Sequence, residues 1–573
     1  MLIAGGCSLR ADSKPESVRL FPPPGTAVAS PESQITLRGG GAADVGTVTV
    51  TGSASGTHEG RMQAHSDGQG VSFVAEKPFQ PGETVTVSAG MKIAGAGESG
   101  ATFTVARPAE QKWEPGPTVR KDWEKGALTL KTHPELRPSS ITATTPAAKP
   151  GKDLLLLTPH GGPGGSGPQI MDDRGNLVWY QAMPSGVSAA DLRVQTMAGK
   201  PVLTYWKGTV TTGMGRGEYV VLDKTYTEIA TIDAGNGYTS DLHDMRLTEK
   251  GTAWIMIYTP VKWDLSPAGG PADGIAIDNV VQEIDVATGA VLFEWHSLDH
   301  VGVDESVKEL PKTPDLGYDY FHINSLDVER GGTLLLSARN TSALYRIDAT
   351  SGEMVWRLGG KKSDFSMAEG ATFGYQHDAR QMPDGTIMLF DNAAATEETE
   401  GAVSAALRLK LDDDRKTATV VARWTHPTKL LAASRGSVQR LENGNTFVGW
   451  GSKPFFTEYD ASGNVVFDAR MDPGVSYRTY RMPWTGRPAA EPALSVTATP
   501  SGVSVWVSWN GDTETATWEL LAGDSVTDLK PAGRVTRTGF ETELTGAAAA
   551  FVAVRALDAS GQELIRSQPR AAG

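Results

Sequence analysis

The sequence predicts an all-β fold, a six-bladed β-propeller flanked by an N-terminal Ig-like and a C-terminal fibronectin/Ig-like β-sandwich. Three observations carry this. First, 65 Gly and 34 Pro are spread through turns between short segments of alternating hydrophobicity, with no lasting 3.6-residue period. Second, an Asp-containing strand, a turn and an apolar strand often ending in Trp recur. They are marked by Asp172, Asp223, Asp285, Asp348, Asp412 and Asp460, 48 to 64 residues apart. Third, three hairpins open on a histidine: LHDMRLTEKGTAWIMIYT from Leu242, FHINSLDVERGGTLLLSARN from Phe321 and YQHDARQMPDGTIMLFDN from Tyr375. A front hairpin of the His type joined to a back hairpin of the Asp type makes four antiparallel strands, the unit of a propeller blade.

Taken in order, residues 1–16 read as a lead containing Cys7, the only cysteine, in MLIAGGC. The small residues before it are those of a lipobox, where Cys7 would be acylated, an exported chain being anchored to a membrane surface. Only six residues precede it, fewer than an apolar signal core needs, so an ordinary N-terminus with a chance Cys stands beside that reading. Residues 17–107 carry alternating strands such as QITLRG and TVTVTG and fit one Ig-like sandwich. Residues 108–152, rich in Pro, Lys and Thr, read as a linker. Residues 153–486 hold the six units, with the segment near Tyr477 to Pro483 placed to return and complete a blade with the strands near Asp153. Residues 487–573 read as the second sandwich.

The chain's 53 Lys+Arg against 67 Asp+Glu, without a basic run, exclude a nucleic-acid partner. No apolar run approaches the ~18 residues of a membrane helix. With one cysteine no internal disulfide can form.

In a blade the start of the first strand and the end of the second lie at the same mouth. That places His243, His322 and His377 around one opening, with Arg339 of SARN beside them. Strand alternation places Asn324 on the side of His322. Asn392 ends the equivalent strand of the next unit, and Tyr205 and Trp206 of VLTYWKG are candidates for an aromatic wall, as is Trp450. The HD step at His243, HINS at His322, SARN at Arg339, QH at His377 and GSVQRLENGNTF at Gly436, in that order over roughly Leu154 to Trp484, resemble the bacterial arylsulfotransferase family. The resemblance implies a six-bladed propeller that moves a sulfuryl group from a phenolic sulfate donor to a phenolic acceptor through a sulfated histidine, with no cofactor and no nucleotide donor. It makes His377 the nucleophile, with His243, His322, Asn324 and Arg339 around the sulfate. The chemistry agrees: displacement at sulfur spreads charge over oxygens that need fixed cations and donors, and a neutral imidazole is a competent nucleophile.

The alternatives are weighed on the same residues. One buried strand-end histidine is more often structural than catalytic. Three in register with an Arg reverse that balance. A His₃ zinc site competes, but a guanidinium at the same mouth would repel the metal. HGGPGGSG at His160 resembles the oxyanion segment of α/β-hydrolases, yet no GxSxG elbow accompanies it, so a tight Gly-Pro turn is expected. His296 and His300 are expected at the surface, between units. A non-catalytic propeller that binds a small ligand or protein is the alternative from another class.

Overall fold

The computed structural model describes residues 16–111, 126–147, 151–161, 167–313, 315–472 and 474–572. Cys7 and most of the Gly-Pro segment after His160 lie outside them. Among the described residues the chain is all-β, its α-helix confined to the four-residue turns Ala42–Val45 and Ser297–His300.

Six sheets follow one another from Leu154 to Met482, each built on antiparallel strands laid down in consecutive order, the fifth also carrying the two-residue strand Ser366–Met367, which pairs parallel with Thr417–Trp424. The first holds Leu154–His160, Gln169–Met171 and Leu177–Tyr180, and its fourth strand is Val475–Met482 from the far end of the region. Leu154 pairs with Met482 and His160 with Val475, so the first and last strands of the region are stitched into one sheet. The next five sheets begin on Ser188–Met197, Met245–Leu247, Ile323–Glu329, His377–Gln381 and Ser437–Arg440. These five strands and Val475–Met482 contact one another in a closed cycle, each touching the next.

Both faces of a middle strand are covered by neighbouring sheets, which is why Leu334 to Leu336 and Ile387 to Phe390 are consecutive apolar residues rather than alternating ones. Aromatic rings meet across the seams: Trp295 of the third sheet lies 6.1 Å from Phe321, which leads into the fourth, and Phe390 of the fifth 5.7 Å from Trp450, at the end of a strand of the sixth. At the centre of the cycle lies a buried ion network instead of an apolar plug. Arg193 pairs with Asp191 and Asp244, Arg380 with Asp244 and Asp378, and Arg478 with all three carboxylates. Four sheets contribute to it, so the network holds them in a fixed register, each charge compensated by neighbours of opposite sign.

Two sandwich-like units flank this region. In the first, two four-stranded sheets enclose a core that includes Val18, Ile35, Leu37, Val50, Val71, Val85 and Phe103. It docks on the third sheet, where Thr36 Oγ1 donates to Val291 O at 2.6 Å and Ser30 Oγ to Asn236 O at 2.6 Å. The second, from Ala493 onward, is joined to the first and second sheets. The Gly511 N–H donates to Val178 O at 2.8 Å and Tyr226 Oη to Gly511 O at 2.7 Å.

Two expectations change. The stretch expected as a linker, 108–152, supplies the strand Ser140–Thr145, which adds a fifth strand to the sixth sheet by pairing with Val465–Asp472. His296 is not at the surface. It ends the strand Val291–His296, is 1% exposed, and lies between Asp278 (2.6 Å) and Glu294 (3.1 Å), which hold its pKa well above the usual histidine value against the opposing effect of burial. His300 stacks on Trp295 at 5.1 Å.

Candidate active site

Each of the three histidines sits where an innermost strand begins. His243 precedes Met245–Leu247, His322 directly precedes Ile323–Glu329, and His377 is the first residue of His377–Gln381. Strand pairing is irregular at two of these places, between Ile323 and Ser325 and between His377 and Arg380. His322 and Asp378 adopt left-handed backbone, φ 57° and 55°. Such bulges re-aim side chains. Here Asp244 and Asp378, each following its histidine, enter the central ion network while the histidines gather in one cluster.

The rings are in contact. His243 and His322 lie 5.1 Å apart between centroids, and Tyr258 covers both at 5.5 and 5.4 Å. Tyr477, from the returning strand, touches His243 at 5.2 Å and His377 at 6.3 Å. All three histidines are at most 8% exposed. Arg339, after the second strand of the fourth sheet, donates its backbone N–H to His322 O at 2.9 Å.

The hydrogen bonds separate the histidines into two kinds. Asn392 donates through Nδ2 to Ala432 O (2.7 Å) and Arg435 O (2.9 Å), so its oxygen must face His377, and His377 Nδ1 donates to it at 2.7 Å. His377 Nε2 accepts the Arg435 N–H at 3.2 Å, which fixes the lone pair on that nitrogen. Burial and the nearby Arg339 cation push the His377 pKa well below the usual value, so the ring is neutral. His243 and His322 instead donate through Nδ1 to carboxylates, His243 to Asp241 and His322 to Asp319 at 2.7 Å. For His322 burial lowers the pKa while Asp319 opposes it. Burial leaves the His322 pKa lowered overall, but a carboxylate partner stabilises an imidazolium and an amide oxygen does so far less, so Asp319 suits His322 to take up a proton beside a bound anion while His377 presents a lone pair.

The Arg339 guanidinium donates to Asn340 Oδ1 (2.9 Å), Ala433 O (3.2 Å) and Ala395 O (3.4 Å), and lies over the Tyr375 ring at 5.1 Å. All of these partners are neutral. Among the described residues it forms no salt bridge, so its charge is free to meet an anion beside His377.

Five residues depart from the roles expected of them. Asn324 donates through Nδ2 to Gln376 O at 2.7 Å and its buried Oδ1 has no partner. The bulge after Ile323 breaks the alternation that put it beside His322, and an acceptor oxygen offers nothing to a sulfate oxygen. Asn392 orients His377 and has both ends of its amide engaged. Tyr205 and Trp206 face opposite sides of the strand Lys200–Thr211 and are buried in separate apolar clusters, so they form no wall beside the histidines. Trp206 Nε1 donates to Ser240 O at 3.1 Å. Tyr205 lines a cleft of about 710 Å³ with Gln181, Met183, Lys207, Arg216 and Glu218, a lining that includes none of the three histidines. Trp450 is likewise buried, its Nε1 donating to Thr457 Oγ1 at 2.9 Å.

The sequence reading missed Asp241, Asp319, Tyr258, Tyr477 and Arg435. The two aspartates were visible as acidic residues two and three positions before their histidines. Tyr477 was hidden because it comes from the far end of the region. Among the described residues no three His, Cys, Asp or Glu side chains are arranged to hold a metal ion.

Residues 193–472 match the model of a family described as arylsulfotransferase (ASST). No curated protein matches the chain. Among solved structures, the chain is similar to a protein of unknown function from Bacteroides caccae, at 15% identity over 58% of this chain and 98% of that one, with a TM-score of 0.36. It is also similar to a streptogramin B lyase, at 12% identity over 64% and 93%, with a TM-score of 0.32. A virginiamycin B lyase from Staphylococcus aureus follows at 11% over 63% and 88%, with a TM-score of 0.25. At these scores none of the three structures bears on the chemistry.

Proposed function

We propose, from the premise that residues 193–472 belong to the arylsulfotransferase family, that this chain moves a sulfuryl group from an aryl sulfate to a phenol through a sulfated His377. The observation that carries this reading is the pairing of a neutral His377, its Nε2 lone pair fixed by Asn392 and Arg435, with two carboxylate-backed histidines and an Arg339 that forms no salt bridge among the described residues.

In the first half, the donor's sulfate lies against Arg339, the hydrogen bond from the Arg435 N–H to His377 Nε2 opens, and the freed lone pair attacks sulfur. The sulfur–oxygen bond to the aryl group breaks, and the departing phenolate oxygen takes a proton from His322 or His243. An anion in the site favours the protonated form of His322, against the burial that lowers its pKa. A phenol with pKa near 10 leaves far more readily when protonated. In the second half, the acceptor's oxygen bonds to sulfur and the electron pair of the sulfur–nitrogen bond returns to His377 Nε2. Arg339 stabilises the charge on the sulfuryl oxygens in both halves.

The fold reading that goes with this is a six-bladed propeller, supported by six consecutive sheets whose innermost strands touch in a cycle. The flanking units are read as Ig-like and fibronectin/Ig-like. We further propose that the chain is exported and acylated on Cys7. Replacing Cys7 by Ser should then release it from the membrane fraction, and unchanged fractionation would end the lipoprotein reading.

The test of function is the mass of the protein after incubation with 4-nitrophenyl sulfate and no acceptor. One added sulfuryl group, located on His377 and absent from His377→Ala, is expected. A wild-type protein that neither gains mass nor releases 4-nitrophenol would leave a ligand-binding propeller as the better account.

A further inference from the structure

The site described so far handles the donor, and nothing in it selects the acceptor. His160 ends the strand Leu154–His160 and pairs with Val475, two residues before Tyr477. Its Nδ1 lies 3.3 Å from Thr158 O. A carbonyl can only accept, so Nδ1 carries the hydrogen and Nε2 is left as a lone pair. That Nε2 is buried and has no hydrogen-bond partner among the described residues, an arrangement folded proteins seldom tolerate without a reason.

The neighbouring charge is Arg435. Its backbone N–H donates to His377 Nε2 at 3.2 Å, its carbonyl accepts from Asn392 Nδ2 at 2.9 Å, and its φ is 65°. Its guanidinium forms no salt bridge among the described residues and is close enough to His160 to add to the effect of burial, the two together lowering the pKa of that ring to about 3. The next residue, Gly436, donates its N–H to Tyr477 O at 3.2 Å, so Arg435 stands beside the strand that His160 joins at Val475 while its own backbone touches the nucleophile.

We propose that His160 and Arg435 form the subsite that takes the hydroxyl group of the phenolic acceptor, with His160 Nε2 accepting the hydroxyl hydrogen and the Arg435 guanidinium meeting the oxygen. A hydroxyl is the group that carries a donor and an acceptor on one atom, which is what a bare imidazole lone pair beside a guanidinium requires. A sulfate has only acceptor oxygens and would leave Nε2 unpaired, so the subsite discriminates against the donor's headgroup. The inference rests on the sulfuryl-transfer reading and assigns its second half.

In that step the phenol oxygen forms a bond to sulfur, and the bond from sulfur to His377 Nε2 breaks with its electron pair returning to nitrogen. The hydroxyl proton passes to His160 Nε2 and from there to water. A phenol oxygen becomes far more acidic as it bonds to sulfur, so a weakly basic imidazole suffices as the acceptor of its proton.

The experiment separates the halves. Pre-mixing enzyme with 4-nitrophenyl sulfate alone reads the burst of 4-nitrophenol, and adding phenol then reads discharge of the sulfated protein. In His160→Ala the burst should stay within about twofold of wild type while discharge to phenol slows by about 10²–10⁴-fold. His160→Gln keeps a side-chain oxygen that accepts a hydrogen bond but not a proton, so it should restore the KM for phenol without restoring the discharge rate. A wild-type burst with unchanged discharge in both variants, or a burst that falls in step with discharge in both, would overturn the subsite alone. Absence of a burst in the wild type would instead overturn the transfer reading, and the subsite with it.

Discussion

Asp241 holds two parts of the protein at once, taking the Nδ1–H of His243 on one carboxylate oxygen and the backbone N–H of Gly215 on the other, at 2.6 Å. Gly215 belongs to Met214–Leu222, a strand of the second sheet, so the orientation of a histidine in the third sheet depends on how that hairpin lies. There is no room for a side chain: a Cβ at Gly215 would sit 2.7 Å from the Trp206 ring and 2.8 Å from Leu242 N.

Gly215→Ala should therefore lift the hairpin from Asp241 and loosen His243 without touching His377. The expected outcome is a fall in kcat of roughly tenfold or more with poor leaving groups, while labelling of His377 by 4-nitrophenyl sulfate persists. Equal activity of the variant toward every donor would show that His243 does not need this contact.

The amide at Asn392 sets a second expectation. A carboxylate in its place would stabilise imidazolium at His377 and raise a pKa that burial and Arg339 now hold well below the usual value. Since the neutral ring is the nucleophile, activity is lost as pH falls through this pKa. Asn392→Asp should move the acid limb of the kcat/KM profile upward by about a pH unit or more. An acid limb that stays in place would mean that another group governs it.

How much of this was legible in the sequence follows from what each residue answers to. His243, His322 and His377 could be placed together because each sits at the same register of a repeated hairpin, and register survives in sequence. Arg339 followed because it ends the strand opposite His322. Asn324 was misplaced by the same logic, since a bulge changes the count by one and the sequence carries no mark of it. Tyr205 and Trp206 lie at the right height on their strand but are packed between sheets, a matter of long-range packing that a strand pattern does not encode. Tyr477 and His160 could not be assigned to the site, because they reach it through the closure of the first sheet by the last strand. His296 was expected at the surface because it was placed in a loop between units, whereas it ends the strand Val291–His296 and is a buried ring held between Asp278 and Glu294.

His322 leads to an expectation about leaving groups. Its Nδ1–H is held by Asp319, and the Asp319 carboxyl is in turn held well below the usual range, chiefly by His322 and Lys308 against the effect of burial. In His322→Ala the departing phenolate loses a proton donor. Turnover should fall by about 10²–10⁴-fold for phenyl sulfate, and less for 4-nitrophenyl sulfate, whose phenol is acidic enough to leave unaided. The plot of log kcat against leaving-group pKa should steepen in the variant. A parallel plot would remove His322 as the proton donor and leave His243 in that place.

The buried cluster around His296 makes a prediction about stability that is independent of catalysis. Its folded pKa is raised, so its contribution is fully present below about pH 6.5, the unfolded value, and is lost only as pH rises through the folded value. At pH 7 it is still in force. His65, His160 and His300 run the other way, with pKa values near 4, 3 and 4, each lowered chiefly by burial. Their contributions are present above pH 6.5 and are withdrawn as pH falls, by up to about 1.4 kcal/mol per pH unit for each ring. The wild-type Tm should thus decline from pH 7 toward pH 4. His296→Gln leaves Asp278 and Glu294 buried without their cation, which costs on the order of 3–5 kcal/mol at pH 7. Because the stabilising charge is fully present below about pH 6.5, the gap in Tm between wild type and variant should be at its full size at pH 6 and shrink as pH rises through the folded value. A gap that narrowed on acidification from pH 8 to pH 6 would show that His296 does not carry a proton in the folded protein.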